Sequence, residues 1–137
     1  MIIDHELIMA NKQAVTSSAA GSNLIDRKTA GDSDPGLVFI VDCDVSATSG
    51  GAATLTVELQ SSDYSTFVDG SSNPSYNTLA KTETIALSAL TAGKRLFCGR
   101  FAKGAKRYMR AYFTVGTANL TAGKFSAYLV NDAQTNC

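Results

Sequence analysis

Hydrophobic and polar side chains alternate with a period of two along much of this chain, and this pattern restricts the fold more than any other feature. Between Ala53 and Gln60, the side chains of Leu55, Val57 and Leu59 share one face, while the polar residues, including Gln60, share the other. Successive side chains of a β-strand point to opposite faces of a sheet. The segment therefore predicts a strand with one buried face and one face in solvent.

Several other segments show the same alternation or are rich in β-branched and aromatic residues. The stronger candidates are Gly36–Val45, Thr82–Leu87, Lys94–Cys98, Lys106–Val115 and Lys124–Val130, and the weaker ones are Gln13–Thr16 and Ser22–Asp26. Glycine, proline and short polar residues separate them, at Gly31–Gly36, Ser46–Gly51, Asp69–Pro74, Thr91–Gly93 and Thr121–Gly123. About seven to nine short strands of this kind predict an all-β, antiparallel β-sandwich, either a jelly roll or another Greek key.

The chain has 137 residues, which fits a single domain spanning residues 1–137. Its opening, Met1–Met9, alternates poorly, so it is either an ordinary first strand or part of an arm over residues 1–12 that pairs with a neighbouring sheet edge. The longest stretch without an obvious strand is Asp63–Asn77, and connections of that length are commonly functional or mobile.

The net charge of zero conceals a strong division along the chain. Residues 1–83 carry eleven acids and four cations, a formal charge of −7, whereas residues 84–137 carry eight cations and one acid, a formal charge of +7. Part of this opposition is expected to be neutralised inside the fold. The remainder predicts a surface with one acidic and one basic region, which suits self-association or docking onto a charged assembly.

Residues for catalysis are scarce, so we expect no enzymatic activity. The only histidine is His5, near the start, and there is no G-x-S-x-G motif, which argues against a serine-type nucleophile. Asp42 and Asp44 share one face of a strand, where we expect them to be solvated or to meet the basic segment. Asp32 and Asp34 fit a turn better than a calcium loop. No phosphate-binding glycine motif is present, and we expect no cofactor.

The three cysteines have neither CxxC spacing nor an even number, which predicts neither a disulfide framework nor a zinc site. Cys43 and Cys98 lie in apolar segments and are expected to be buried and reduced, while Cys137 is expected to be exposed. The sequence contains neither a secretion signal nor an apolar run of membrane-spanning length, so we expect synthesis in the cytoplasm and no membrane partner.

The basic segment between Arg100 and Arg110 allows three interpretations. Its cations and aromatic residues could dock onto another protein, bind single-stranded nucleic acid, or be used inside the fold. Because the chain has as many acids as cations, with a pI near 6.5, we do not expect a nucleic-acid partner.

Four segments together resemble a known family of viral proteins. They are Met1–Asp4, Gly51–Asp63, Lys103–Arg110 and Tyr112–Lys124, the last comprising Tyr112–Gly116 and Thr121–Lys124. In order and spacing they are similar to the capsid cement, or head decoration, proteins of tailed bacteriophages, of the kind found on a Bordetella phage head. The resemblance implies a jelly-roll protein on the outer surface of an icosahedral head. It also implies a symmetric oligomer that clamps neighbouring major capsid subunits, without enzymatic activity or cofactor.

The resemblance implies a structural virion protein made in the bacterial host cytoplasm, with the major capsid protein and its own copies, as a homodimer or homotrimer, as partners. The predicted interface comprises cations for docking and an N-terminal segment that ties subunits together: Arg100, Lys103, Lys106, Arg107, Arg110, Ile2, Ile3 and His5. The first alternative is a carbohydrate-binding sandwich in which Tyr64, Tyr76 and the long Ser/Asn-rich loop form the sugar platform. The second, ranked below it, is a protein that binds single-stranded nucleic acid through the basic segment.

Overall fold

The computed structural model describes residues 3–31, 37–67 and 75–131, and almost all of its regular structure is β-strand. The strands are β1 Ile8–Ala14, β2 Ala19–Ala20, β3 Ile25–Asp26, β4 Leu37–Thr48, β5 Thr54–Ser62, β6 Tyr76–Lys81, β7 Ile85–Ala86, β8 Arg95–Gly99, β9 Tyr108–Gly116 and β10 Ala122–Asn131. Two short 3₁₀ helices, His5–Leu7 and Leu87–Ala89, complete the regular structure of these residues.

The strands form two antiparallel sheets that pack face to face. Sheet A has the order β1-β10-β4-β8, and sheet B has the order β2-β9-β5-β6, with β3 also paired to β9 and β7 also paired to β5. The chain crosses repeatedly from one sheet to the other, so strands that are neighbours in a sheet are often distant in sequence. The all-β antiparallel sandwich is confirmed, and its strand order is compatible with the predicted jelly roll.

Side chains from both sheets meet in one hydrophobic core. Phe39 and Phe125 enter it from sheet A and Phe113 enters it from sheet B, and all three are fully buried. The rings of Phe113 and Phe125 lie 6.0 Å apart between centroids, at an angle of 36°. These aromatic contacts connect the two sheets directly and hold β9 and β10 in fixed positions.

Strand β1, the first strand of the chain, pairs irregularly with its neighbour. Residues 8–12 lie inside β1, which pairs with β10, so only the residues before Ile8 are left for an arm. The pairing register shifts twice, between Ile8 and Ala10 and between Ala10 and Gln13. An extra residue at a bulge breaks the period of two, which explains the poor alternation of this segment.

Strand β6 begins inside Asp63–Asn77, the stretch in which the sequence predicts no strand. Tyr76 and Asn77 pair with Ser62 and Ser61 of β5. Gln60 was predicted to point into solvent, and this is wrong, because only 1% of its surface is exposed. Most of the predicted turns at Gly31–Gly36 and Asp69–Pro74, including Asp32 and Asp34, lies outside the described residues.

No helix in the described part of the chain is long and apolar enough to cross a membrane.

Candidate docking surface

The predicted docking residues lie in and next to the loop that connects β8 to β9, which we call the basic loop, residues 100–107. Backbone contacts fix this loop against β6. The amide of Ala102 donates to the carbonyl of Leu79 at 2.9 Å, and the side-chain amide of Asn77 donates to the carbonyl of Gly104, also at 2.9 Å. Gly104 has a φ of +98°, a conformation that glycine adopts without steric cost. The loop therefore presents its cations from a backbone anchored to the sandwich.

Arg107 forms an ion pair within the chain. Its Nε and Nη2 donate to the two carboxylate oxygens of Asp26 at 2.9 and 3.1 Å, and its guanidinium lies 4.8 Å from the ring centre of Tyr108. The hydrogen bonds from Arg107 lower the pKa of Asp26 far below its ordinary value, while Asp26 raises the pKa of Arg107. A two-pronged contact of this kind fixes the end of the basic loop to β3.

Arg110 occupies an aromatic environment on the outer face of sheet B. Its guanidinium carbon lies 4.3 Å from the ring centre of Phe67, 5.0 Å from that of Tyr112 and 5.7 Å from that of Tyr76. Its Nε donates to Gln60 at 2.8 Å. These contacts cover Gln60, and they explain why a residue on the outward face of β5 is buried.

Lys106 makes a longer contact, and Arg100 and Lys103 make none within the described residues. The Lys106 ammonium lies 3.8 Å from the Asp63 carboxylate, with more than a third of the lysine side chain exposed. Arg100 and Lys103 are exposed, and neither forms an ion pair with a residue that the structure describes. Arg107 and Arg110 are thus bound within the fold, and Lys106 is partly exposed beside Asp63. The other two predicted cations, Arg100 and Lys103, face solvent.

The N-terminal residues lie beside β3 rather than far from the basic loop. Asp4 caps the first 3₁₀ helix by accepting a hydrogen bond from the amide of Glu6 at 3.0 Å. His5 lies on this helix and lines a depression together with Asp26. Ile3 is 42% exposed, and Ile2 lies outside the described residues. Since Arg107 binds Asp26, the N-terminal segment and the basic loop approach the same end of β3.

The two tyrosines of the predicted sugar platform have different environments. Tyr64 is 67% exposed and lines an open depression with Asp63 and Tyr108. Tyr76 instead packs against Phe67, with ring centroids 6.0 Å apart. Of these two tyrosines, Tyr64 is therefore the one that offers an exposed ring for stacking against a sugar.

The strand carboxylates bind partners on the outer face of sheet A. Asp42 accepts a hydrogen bond from the Tyr128 hydroxyl at 2.6 Å and from the Arg95 Nε at 3.0 Å, and Asp44 accepts one from Ser126 at 2.5 Å. Burial, together with the bond to Asp42, raises the pKa of Tyr128 to about 12. Asp42 thus meets a cation of the basic half of the chain, as the sequence allowed. Within the described residues, no cluster of three or more potential metal ligands occurs.

The cysteine prediction is correct at one position and wrong at another. Cys43 is buried and free, and burial raises the pKa of its thiol. Cys98 is only half-buried and is disulfide-bonded, and Cys137 lies outside the described residues. An apolar sequence context does not by itself keep a cysteine reduced. Cys98, however, lies on the outward face of β8, next to Ile40 and away from the main core.

The partners of the internally bound cations could not be found by sequence reasoning. Asp26 is 81 residues away from Arg107, and Gln60 is 50 residues away from Arg110. No local spacing signals such pairs, because the strand order alone brings β3 and β5 to the two sides of β9.

The model of the family Bbp16, a family of Bordetella phage proteins, matches residues 9–129, from β1 to β10. The chain belongs to the Bbp16 family. The Bbp16 match includes both sheets, the basic loop and the segment around Tyr64. No curated protein matches the chain.

Proposed function

We propose that this Bbp16 family member is a capsid cement protein that binds the outer surface of an icosahedral phage head and stabilises contacts between major capsid subunits. The observation that carries this proposal is the match to a Bordetella phage family across residues 9–129, which supports a structural phage protein. The resemblance to capsid cement proteins supports the more specific role, in which the protein acts by binding and not by catalysis.

The exposed cations of the basic loop are the best candidates for contact with the capsid. Arg100 and Lys103 face solvent, and Lys106 is partly exposed beside Asp63. Exposed charges steer association, and their contacts with water can be replaced by contacts with a partner at little cost in free energy. Arg107 and Arg110 already have partners within the chain, so their role is to position the loop and the outer face of sheet B.

The N-terminal segment is the candidate for contact between copies of the protein. Ile3 exposes 42% of its surface next to the capped 3₁₀ helix that carries His5. An exposed isoleucine gains free energy by burial against a neighbouring subunit. A symmetric dimer or trimer would repeat this contact and hold several basic loops against one capsid seam.

Stabilisation of the head would follow from mass action. A protein that binds only the assembled lattice stabilises each site by RT ln(1 + [L]/Kd), and this gain is repeated over all occupied sites. Many modest interfaces can therefore strengthen a shell against internal DNA pressure.

The test measures binding to expanded empty heads of the cognate phage by cosedimentation. The double variant R100E/K103E should bind about tenfold more weakly, since a loss of about 1.4 kcal/mol corresponds to that factor. The matched control K94E/K124E makes the same change in net charge with two exposed lysines. Lys94 precedes β8 and Lys124 pairs with Val45 of β4, so both lie at the end of sheet A opposite the basic loop.

Two further results would decide the proposal. Binding of the unaltered protein should weaken in 1 M salt, where the screening length falls to about 3 Å. Equal loss of binding in both double variants would show that net charge alone explains the effect, and it would exclude the basic loop as the docking surface. Absence of any binding to heads by the unaltered protein would exclude the cement function itself.

A saccharide-binding function is the second candidate, because Tyr64 is 67% exposed above an open depression lined by Asp63, Ser65 and Thr66. An exposed aromatic face beside carboxylate and hydroxyl groups suits a sugar ring. A glycan array should then give a reproducible ligand that is lost in Tyr64→Ala. An array without any signal would remove this candidate.

A further inference from the structure

The inward face of β5 ends on a serine, although the preceding positions of that face are apolar. Leu55, Val57 and Leu59 point into the core between the sheets and are fully buried. Ser61, two residues further along the same face, is also 0% exposed. A hydroxyl group that is removed from water needs hydrogen-bond partners within the protein, because leaving it unpaired costs free energy. The partners of Ser61 therefore indicate the role of this buried serine.

Both partners of the Ser61 hydroxyl connect it to the basic loop. The hydroxyl donates to the side-chain oxygen of Asn77 and accepts a hydrogen bond from the backbone amide of Lys106 at 3.2 Å. Asn77 is the residue of β6 that pairs with Ser61, and its side-chain amide donates to the carbonyl of Gly104 at 2.9 Å. Ser61 and Asn77 thus hold the backbone of the basic loop at Gly104 and at Lys106.

The same part of the basic loop is also bound from the side of β3. The amide of Gly31 donates to the carbonyl of Ala105 at 3.0 Å. Arg27 donates from its Nη1 to the carbonyl of Lys106 at 3.1 Å, and from its backbone amide to the carbonyl of Arg107 at 2.9 Å. Ala105 itself is buried and belongs to the main core. The second half of the loop therefore has a backbone fixed on two sides and anchored by a buried side chain.

This fixed backbone carries two of the cations that are candidates for contact with the capsid. Lys103 is exposed and directly precedes Gly104, the residue that Asn77 binds. Lys106 is bound through its amide, while more than a third of its side chain is exposed. A surface that is ordered before association loses less conformational entropy on binding than a mobile one. The hydrogen bonds from Ser61 and Asn77 should therefore favour docking without contributing any charge.

We infer that Ser61 and Asn77 are positioning residues of the basic loop, which hold Lys103 and Lys106 in the arrangement that docks onto the capsid. The inference rests on the proposed function for the identity of the partner, whereas the positioning is a property of the free protein. Ser61 is fully buried, so it acts through the loop and not by touching the partner.

Ser62, the next residue of β5, provides a matched control. It is also 0% exposed, and its hydroxyl donates to the carbonyl of Ser75 at 2.6 Å and accepts from the amide of Tyr64 at 3.1 Å. The two serines are therefore equally buried, but the hydroxyl of Ser61 binds the basic loop and that of Ser62 binds the segment around Tyr64. A general loss of stability should affect both alanine variants, whereas a loss of positioning should be specific to Ser61→Ala.

Hydrogen exchange of the free protein tests the positioning. In Ser61→Ala the amide of Lys106 loses its acceptor and should exchange about three- to tenfold faster, while in Ser62→Ala the amide of Tyr64 should show this change. Amides of β4 and β10 should stay protected in both variants, which shows that the sandwich remains folded. Equal acceleration of the Lys106 amide in the two variants, or none in Ser61→Ala, would overturn the inference.

Cosedimentation with expanded empty heads tests the consequence for docking. Ser61→Ala keeps every cation and should nevertheless bind about three- to tenfold more weakly, whereas Ser62→Ala should bind like the unaltered protein. Because the charges are unchanged, the binding of Ser61→Ala should decrease with added salt as steeply as that of the unaltered protein. Full binding by Ser61→Ala, in spite of faster exchange at Lys106, would overturn the inference.

A second pair of variants serves if Ser61→Ala does not fold. Asn77→Ala removes the bond to Gly104 at a half-buried position, and Thr78→Ala changes the exposed neighbour on β6. Asn77→Ala should bind heads more weakly than Thr78→Ala, and equal binding would contradict the role of Asn77. Absence of head binding by the unaltered protein would exclude the cement function, and the exchange measurements would still decide whether Ser61 positions the loop.

Discussion

Neighbouring cations of the basic segment have different roles because each meets a different surface. Arg107 binds a carboxylate of β3, Arg110 lies among aromatic rings, and Lys103 faces solvent. Their sequence context is nearly the same. The contacts made by each side chain, and not its charge, decide whether it is available to a partner.

The Asp26–Arg107 contact predicts a specific dependence of stability on acid. Because Arg107 lowers the folded-state pKa of Asp26 below the unfolded value, the contact stabilises the fold above about pH 4 and is lost as the pH falls below it. NMR titration should show the Asp26 carboxylate ionised well below its ordinary range. In Arg107→Gln the midpoint should move up toward about 4.

The control for this titration is Lys28→Gln. Lys28 also lies near Asp26, with its ammonium 3.3 Å from the carboxylate, but its side chain is 79% exposed. Removal of its ammonium should change the midpoint less than removal of Arg107. The reverse order would show that Arg107 does not dominate the pKa of Asp26.

Gly21 is a second position where a single residue decides stability. A Cβ at this position would lie 2.6 Å from the carbonyl oxygen of Met9, a backbone atom that cannot move by a rotamer change. Gly21→Ala should therefore reduce the free energy of unfolding by about 1–3 kcal/mol, measured by urea unfolding. Gly50→Ala is the matched control, because nothing lies within 4 Å of its Cβ, and no loss is expected there. Equal stability of the two variants would contradict the close approach.

At the scale of elements, strands with regular alternation were predictable and those without it were not. The predicted Lys94–Cys98 and Lys124–Val130 lie within one or two residues of the bounds of β8 and β10. Strand β1 was obscured by its register shifts, and β6 was obscured because its residues follow a polar loop. Periodicity reports burial on one face, so a bulged strand or a polar edge strand gives only a weak signal.

The contact between β9 and β10 provides a prediction at this scale. Phe113 is fully buried and packs against Phe125 across the two sheets. Phe113→Ala should lower the free energy of unfolding by about 3–5 kcal/mol, because it leaves a cavity between the sheets. Tyr64→Ala, at a residue 67% exposed, should change it by less than about 0.5 kcal/mol. Similar losses in both variants, measured by denaturant unfolding, would contradict the assigned core.

At the scale of the whole molecule, the division of charge along the chain is partly neutralised by the fold. Five ion pairs form among the described residues, and three of them join an acid before residue 84 to a cation after it. These three pairs are Asp42–Arg95, Asp63–Lys106 and Asp26–Arg107. Arg100 and Lys103, which are exposed and lie outside these pairs, contribute to the basic region of the surface.

Salt should accordingly affect binding and folding to different extents. The ion pairs across the two halves are partly exposed, and pairs of this type contribute little to stability. In 1 M salt the free energy of unfolding should change by less than about 1 kcal/mol, while attachment to phage heads weakens strongly. Denaturant unfolding and cosedimentation in the same buffers give the comparison. Loss of folding at the salt concentration that releases the protein would contradict it.

The sequence by itself determined that the chain forms antiparallel strands with one buried face, and where most of those strands lie, because alternation is a local property of neighbouring residues. Its charges also divided the chain into an acidic and a basic part. Only the tertiary structure decided that Arg107 meets Asp26, that Arg110 covers Gln60, and that Arg100 and Lys103 are exposed without an ion pair to any described residue. Those contacts join residues far apart in the chain, and they exist only because the crossings between the two sheets set the order of the strands.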